Sequence, residues 1–284
     1  MTAPTPLQGK VALITGASRG IGRAIAQRLA SAGAIVVVTA RSVDQSAEFP
    51  GTLAETVSLI ESTGGKAIAL RADIESVDDL KSLVPRTIAT AGRLDILVNN
   101  AGIAHYARVE DMPRDMFDLT VQHYLRAPFI LCQEAVAEMR KNGGGWIVNI
   151  GSVTAQRPIQ PWGDWERLGG ATVYAAVKLA LNRFTQGLAA ELENDNIAVN
   201  VVAPSTAIST PGADRFTPED YPTEPVEYLA ETVLAMCQLP ANQRTGLIAH
   251  SLHFPWREKL PVFTLDGTEA LPPAEIPAYT HPDI

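Results

Sequence analysis

Val11-Ala12-Leu13-Ile14-Thr15-Gly16-Ala17-Ser18-Arg19-Gly20-Ile21-Gly22 reads as an apolar strand, a turn with three glycines and the opening of a helix. Gly16 permits the tight turn, Gly20 lets the backbone approach a pyrophosphate, and Gly22 allows the helix to pack closely on the strand. The helix N-terminus then offers N–H groups and a partial positive charge to an anion. Downstream, Ile21, Ala24, Ile25, Leu29 and Ala32 fall on one helical stripe, and Gly33 stands where a C-cap is expected. Such a turn is weak evidence when it stands alone, so its surroundings decide.

Outward from this turn, short apolar runs alternate with helical segments. The runs are Val11–Thr15, Ile35–Thr39, Ala67–Leu70, Leu94–Val98, Trp146–Ile150, Ile197–Ala203 and Leu247–Ala249. Most are rich in Val and Ile without polar alternation, which suits strands buried on both faces of a parallel sheet. A second helical stripe is Val177, Leu181, Phe184 and Leu188. A β-α unit repeated about seven times predicts a doubly wound α/β sheet with helices on both faces. Three stretches interrupt it: Arg41 to Gly51, Gln156 to Thr172, and Phe254 to Ile284. The last carries six prolines, which argue against helix or central strand. One domain over residues 1–253 with a proline-rich extension over 254–284 is expected.

Composition narrows the class. The 284 residues are 46% hydrophobic and 19% charged, enough apolar matter for a sizeable core. A net charge of −8 argues against nucleic acid or an anionic membrane as partner. No apolar run approaches the ~20 residues of a membrane span. Met1 to Lys10 has neither a basic nor an apolar leader region, and Cys132 and Cys237 have no metal-ligand spacing. A cytoplasmic protein without a metal is expected.

Three motifs in order give a resemblance. Thr15-Gly16-x-x-x-Gly20-x-Gly22, Asn99-Asn100-Ala101-Gly102 after the fourth run, and Tyr174-x-x-x-Lys178 with Ser152 upstream resemble the short-chain dehydrogenase/reductase family from about Lys10 to Ala249. The resemblance implies a single-domain Rossmann fold with seven parallel strands, a nicotinamide cofactor, a homodimer or homotetramer, and hydride transfer to and from a carbonyl. It places cofactor contacts at Gly16, Ser18, Arg19, Gly20, Ile21 and Gly22. Further contacts fall at Asp73, Ile74, Asn100, Ala101, Gly102 and Pro204, with Tyr174 and Lys178 joining them. Asp73 matches an adenine-contacting aspartate, and it equally suits a helix cap.

Charge argues for NADP(H). Where NAD-preferring members resemble one another in an acid ending the second strand, this chain has Ala40, then Arg41 and Ser42. No carboxylate there repels a 2′-phosphate, and Arg41 is available to pair with it; Arg19 is a second basic residue seen in NADP-binding relatives.

Carbonyl reduction needs a proton donor at the oxygen. A lysine four residues beyond a tyrosine shares its helix face, and its ammonium favours the phenolate. Tyr174 is therefore the expected general acid/base. Lys178 is expected to lower its pKa and to hold the nicotinamide ribose. Ser152, as its match to the family's serine implies, would donate a hydrogen bond to the substrate oxygen.

Four departures from the family stand out. Aligning Leu125-Arg126-Ala127-Pro128-Phe129 puts Tyr124, preceded by His123, where members commonly have an asparagine that anchors a relay water. The two either serve a relay or simply pack. The loop Gln156 to Thr172 is longer than usual; Trp162 and Trp165 either wall a hydrophobic substrate or pack elsewhere. Pro204-Ser205 stands for the usual Pro-Gly, with nicotinamide-side contacts expected from Thr206 to Thr210. Lastly, His250-Ser251-Leu252-His253 and the tail replace the usual Asp-Gly-Gly ending. The leading expectation is an NADP(H)-dependent oxidoreductase of a small or medium hydrophobic alcohol/ketone pair. The rivals are a lyase or epimerase on the same scaffold and a non-catalytic NADP-binding sensor.

Overall fold

The computed structural model describes residues 4–41, 50–210 and 222–284. Strands β1 (Val11–Thr15), β2 (Ile35–Ala40), β3 (Lys66–Arg71), β4 (Ile96–Asn99), β5 (Gly145–Ile150), β6 (Ile197–Ala203) and β7 (Ile248–His250) make one sheet. Their order is β3-β2-β1-β4-β5-β6-β7 and every pairing is parallel. This is the doubly wound, single-domain Rossmann arrangement expected from the sequence. The chain winds outward from β1 to β3, then returns to β4 on the other side. Strand order reverses between β1 and β4, which opens a crevice at the strands' C-terminal ends.

Helices α1 (Gly20–Ser31), α2 (Leu53–Ser62) and α8 (Val226–Met236) cover one face; α3 (Val77–Ala91), α5 (Ala127–Lys141) and α7 (Thr172–Leu192) cover the other. Successive strand residues point to opposite faces. Ala12 and Ile14 enter the first core and Val11 and Leu13 the second; Val36 and Val38 are separated from Val37 in the same way. Both faces are therefore apolar, which is why the runs lack polar alternation. Each fully buried Val, Leu or Ile contributes about 1.5–3 kcal/mol. The edge strand β3 is only partly covered.

Between β4 and α5 stands α4 (Arg114–Val121), joined to α5 by a π-helical turn, Gln122–Arg126. The long loop before α7 contains a short helix, α6 (Asp164–Leu168). The last helix, α9 (His253–Glu258), contradicts the expectation that the prolines bar a helix in the tail. Pro255 lies in its first turn, where no intrahelical acceptor needs its missing N–H. The boundary expected between residues 253 and 254 falls within this helix. Phe254 enters the core beside α8, while Leu252, Val262 and Ala274 pack on Tyr228. The Tyr228 hydroxyl donates to the Pro272 carbonyl at 3.0 Å, and Arg28 stands over the Phe263 ring. The tail thus packs against its own chain. No helix among the described residues is long and apolar enough to cross a membrane.

Candidate active site

The glycine turn and the end of β4 interlock. Gly16 has φ +67, and a Cβ there would lie 2.8 Å from the Ala101 Cα. At Gly22 a Cβ would come 2.4 Å from the Gly16 carbonyl oxygen, so any larger residue would push α1 off the turn. Asn100 Nδ2 donates to the Thr15 carbonyl at 2.8 Å, and the Thr15 hydroxyl accepts the Asn100 and Ala101 N–H groups at 3.0 Å each. No side chain caps α1 and its first turn holds no acid. Its leading N–H groups therefore face the crevice beside a backbone cradle, which fits a dinucleotide pyrophosphate. Thr210, after β6, closes over Gly20, where an added Cβ would meet its Cγ2 at 3.3 Å.

Ser152, Tyr174 and Lys178 meet at the C-terminal end of the sheet. Ser152 follows β5 and caps a short 3-10 turn, its Oγ accepting the Thr154 N–H at 3.2 Å. Tyr174 and Lys178 project from one face of α7, both buried. The Ser152 hydroxyl pairs with that of Thr154 at 2.8 Å and stands close enough to Tyr174 to oppose the rise in its pKa. Lys178 Nζ donates to the Ile150 carbonyl at 2.7 Å. Behind them, Asn99 Nδ2 donates to Asn149 Oδ1 and Asn149 Nδ2 to the Thr185 hydroxyl, each at 2.8 Å. This buried ladder ties β4, β5 and α7 together; of its members only Asn99 stands in a sequence motif.

Burial dominates the electrostatics of the pair. Burial pushes the Tyr174 hydroxyl above its ordinary 10, the Tyr106 phenol pushes it the same way, and only the Ser152 hydroxyl opposes them. Burial pushes the Lys178 amine down to about 7. Both groups thus sit where burial disfavours their charged forms. The Lys178 Nζ lies 5.6 Å from the Tyr174 ring centroid and only 4.1 Å from that of Tyr124.

Aromatic rings surround the tyrosine. Tyr106 meets Tyr174 edge-on at 5.3 Å and Trp165 at 5.8 Å, and Tyr124 meets Tyr174 at 5.2 Å. The loop carrying Trp165 is docked: Ala107 N–H donates to the Gly170 carbonyl at 3.1 Å, and a Cβ at Gly170 would lie 2.7 Å from the Ala107 carbonyl carbon. Trp165 thus stands edge-on to Tyr106 beside Tyr174 while remaining 44% exposed, nearly as much as Trp162 at 49%. Tyr106 is a site residue the sequence reading missed, because it belongs to none of the motifs.

Comparison with known proteins gives the family and the fold. The short chain dehydrogenase family model matches residues 10–220. The chain belongs to the short-chain dehydrogenase/reductase family. An uncharacterized oxidoreductase of Thermotoga maritima is 39% identical over 202 residues, 71% of this chain and 73% of that protein. The hydroxynaphthalene reductase-like protein Arp2 of Metarhizium robertsii is 34% identical over 239 residues, 83% of this chain and 84% of its own. Among solved structures, a 7α-hydroxysteroid dehydrogenase complexed with NADH and 7-oxo glycochenodeoxycholic acid superposes with a TM-score of 0.75. It is 32% identical, over 86% of this chain and 93% of that one.

In this short-chain dehydrogenase the end of β2 is not free of carboxylates. Glu75 Oε1 accepts from Arg41 Nη1 at 3.0 Å and lies 3.2 Å from His123 Nε2. The expectation that no acid stands near Arg41 is corrected: a residue 34 positions away arrives through the β3–α3 connection. Ser42 lies outside the described residues. Asp73 does not cap α3; Ser76 does, its hydroxyl accepting the Asp79 N–H at 3.2 Å. The Asp73 carboxylate accepts the Glu75 N–H at 3.0 Å, and the Ile74 carbonyl accepts from Gln122 Nε2 at 2.8 Å.

The dehydrogenase's departures after β6 and β7 meet in one buried network. The Ser205 hydroxyl pairs with His253 Nδ1 and accepts the Leu252 N–H, each at 3.0 Å, and the Ser205 N–H donates to Ser251 Oγ at 2.8 Å. Glu224 accepts from the Ser251 hydroxyl, the Ser205 N–H and the Thr206 N–H. Serine in place of glycine thus ties the residues after Pro204 to the β7–α9 turn. His250 lies 3.5 Å from Gln156 Nε2. Among the described residues, no three His, Cys, Asp or Glu side chains converge as metal ligands would.

Proposed function

We propose that the protein is an NADP(H)-dependent carbonyl reductase and alcohol dehydrogenase acting on a small or medium hydrophobic substrate. The observation that carries this reading is the meeting of Ser152, Tyr174 and Lys178 beside the glycine cradle at the crevice. A nicotinamide dinucleotide supplies the hydride when bound. Gly16, Ser18, Arg19, Gly20, Ile21 and Gly22 hold its pyrophosphate side, and Arg41 pairs with a 2′-phosphate. Asp73, Ile74, Asn100, Ala101, Gly102 and Pro204 line the remainder.

Tyr174 gives its hydroxyl proton to the carbonyl oxygen in reduction and takes it back in oxidation. Ser152 donates a hydrogen bond to that oxygen, and Lys178 holds the ribose hydroxyls. Tyr106 and Trp165 favour a flat apolar substrate; one relative is named a hydroxynaphthalene reductase-like protein, and a 7α-hydroxysteroid dehydrogenase of similar structure holds 7-oxo glycochenodeoxycholic acid. Apolar side chains exposed on α5 and α7, Phe129 and Leu179, support a homodimer or homotetramer, and a cytoplasmic location goes with the buried free thiols of Cys132 and Cys237.

The test is NADPH consumption against a panel of aryl, alicyclic and aliphatic ketones and aldehydes, with Tyr174→Phe alongside. Turnover that vanishes in the variant is the expected result. Tight NADPH binding with no turnover on any member would overturn the enzyme reading and favour a sensor.

A further inference from the structure

Tyr124 occupies the π-helical turn Gln122–Arg126, in which an extra residue in the helical ladder displaces the side chains. The displacement sends neighbours in different directions. His123 reaches Glu75, while Tyr124 turns under the end of the sheet. Its ring lies against Gly102, where any Cβ would come 2.4 Å from Tyr124 Cε1, so this glycine makes room for the ring. The ring meets Tyr174 edge-on and turns its face to the Lys178 ammonium, 4.1 Å from the centroid.

We infer that Tyr124 is a positioning residue: its ring face, with the Ile150 carbonyl, seats the Lys178 ammonium, favours its charged form and aims it at the crevice. This rests on the reading of Lys178 as the residue that holds the ribose beside Tyr174. An ammonium has three N–H groups. One is spent on Ile150 and one meets the ring face, which leaves the third for a ribose hydroxyl.

The charge needs such a seat because Lys178 is almost wholly buried. Burial is the sole cause that moves its amine, with no carboxylate or base from β5, β6, α4 or the π turn contributing. The titratable groups beside it are the phenols of Tyr124 and Tyr174, and both are pushed above their ordinary value, so neither supplies a negative charge. The Ile150 carbonyl and the ring quadrupole are what remain. A desolvated cation over an aromatic face gains enough to hold the amine roughly one to one and a half pH units higher than an aliphatic neighbour would. In this protein an aromatic face thus stands where relatives place a water-anchoring amide.

The test reads Lys178 directly. Cofactor-free protein carrying ¹³C,¹⁵N-lysine is titrated by NMR, with the Lys178 resonance assigned through Lys178→Met. Tyr124→Phe keeps the face and is expected to titrate with the parent. Tyr124→Leu is expected to titrate about one unit lower. Pentafluorophenylalanine at position 124 keeps the shape but reverses the quadrupole, and is expected to follow Leu even should the Leu variant fold poorly. In turnover, the limb on which kcat falls as pH rises should move down with the Leu variant by the same amount. A Lys178 titration unmoved by both Leu and pentafluorophenylalanine would overturn the inference, as would a shift in Phe as large as in Leu. The NMR result needs no substrate, so absence of turnover bears on the proposed function alone.

Discussion

Replacing Arg41 and its carboxylate partner, singly and together, tests the proposed preference of this dehydrogenase for NADPH over NADH. Arg41 and Glu75 lie 3.0 Å apart with side chains 51% and 36% exposed. An ion pair that exposed is worth about 0–1 kcal/mol, so a 2′-phosphate can displace the carboxylate at little cost. A charge-assisted hydrogen bond from Arg41 to the phosphate is worth about 1.5–3 kcal/mol. Arg41→Ala should therefore weaken NADPH binding by about 10- to 100-fold and leave NADH nearly unchanged. Glu75→Gln should tighten NADPH by up to about fivefold, since it removes the competing charge but keeps an acceptor for His123. In Arg41→Ala/Glu75→Gln the gain should shrink, because the competition it relieves is gone. Titration calorimetry of the cofactor-free protein at one fixed ionic strength measures all four states. Equal losses for NADPH and NADH in Arg41→Ala would refute the argument that Arg41 reads the phosphate. A native protein that binds NADH more tightly than NADPH would refute the preference itself.

Three further outcomes follow from the buried groups and the wall. Burial raises the Glu224 carboxyl from its ordinary 4.5 to about 7, despite the bonds from Ser251, Ser205 and Thr206. Between those values the folded chain keeps a proton that the unfolded chain releases. Its contribution is complete below pH 4.5 and is lost as pH rises to 7, about 3 kcal/mol in all. Denaturant midpoints between pH 5 and 7 should fall less in Glu224→Gln than in the parent, and parallel curves would contradict this. Arg28, bonded to Glu231 at 2.7 and 3.2 Å in the core, should cost about 3–5 kcal/mol in urea unfolding when replaced by Ala, because Glu231 is left buried and unpaired. Arg28→Met/Glu231→Leu should recover most of that loss. Trp165→Ala should raise KM for an aryl ketone by roughly 3- to 10-fold with kcat little changed, the value of an aromatic contact; a fall in kcat alone would remove Trp165 from the substrate wall.

Much of the architecture was legible in the chain. Buried parallel strands leave continuous apolar runs, and β1 and β6 were read to the residue as Val11–Thr15 and Ile197–Ala203. Gly16 and Gly22 announced themselves because only glycine tolerates the turn and the close helix approach. Tyr174 and Lys178 share a helix face by their spacing alone. The tail was less legible: its prolines masked α9, whose first turn accommodates Pro255.

What tertiary structure alone decided are relations between residues far apart along the chain. Glu75 reaches Arg41, Ser205 reaches His253, and the Tyr124 ring reaches Lys178; no period or motif links these positions. Local pattern specifies which face a residue shows and where the backbone must bend. Charge state depends on burial and on the neighbours that packing supplies, so the shifts of Tyr174, Lys178 and Glu224 emerged only once the helices had closed over the sheet.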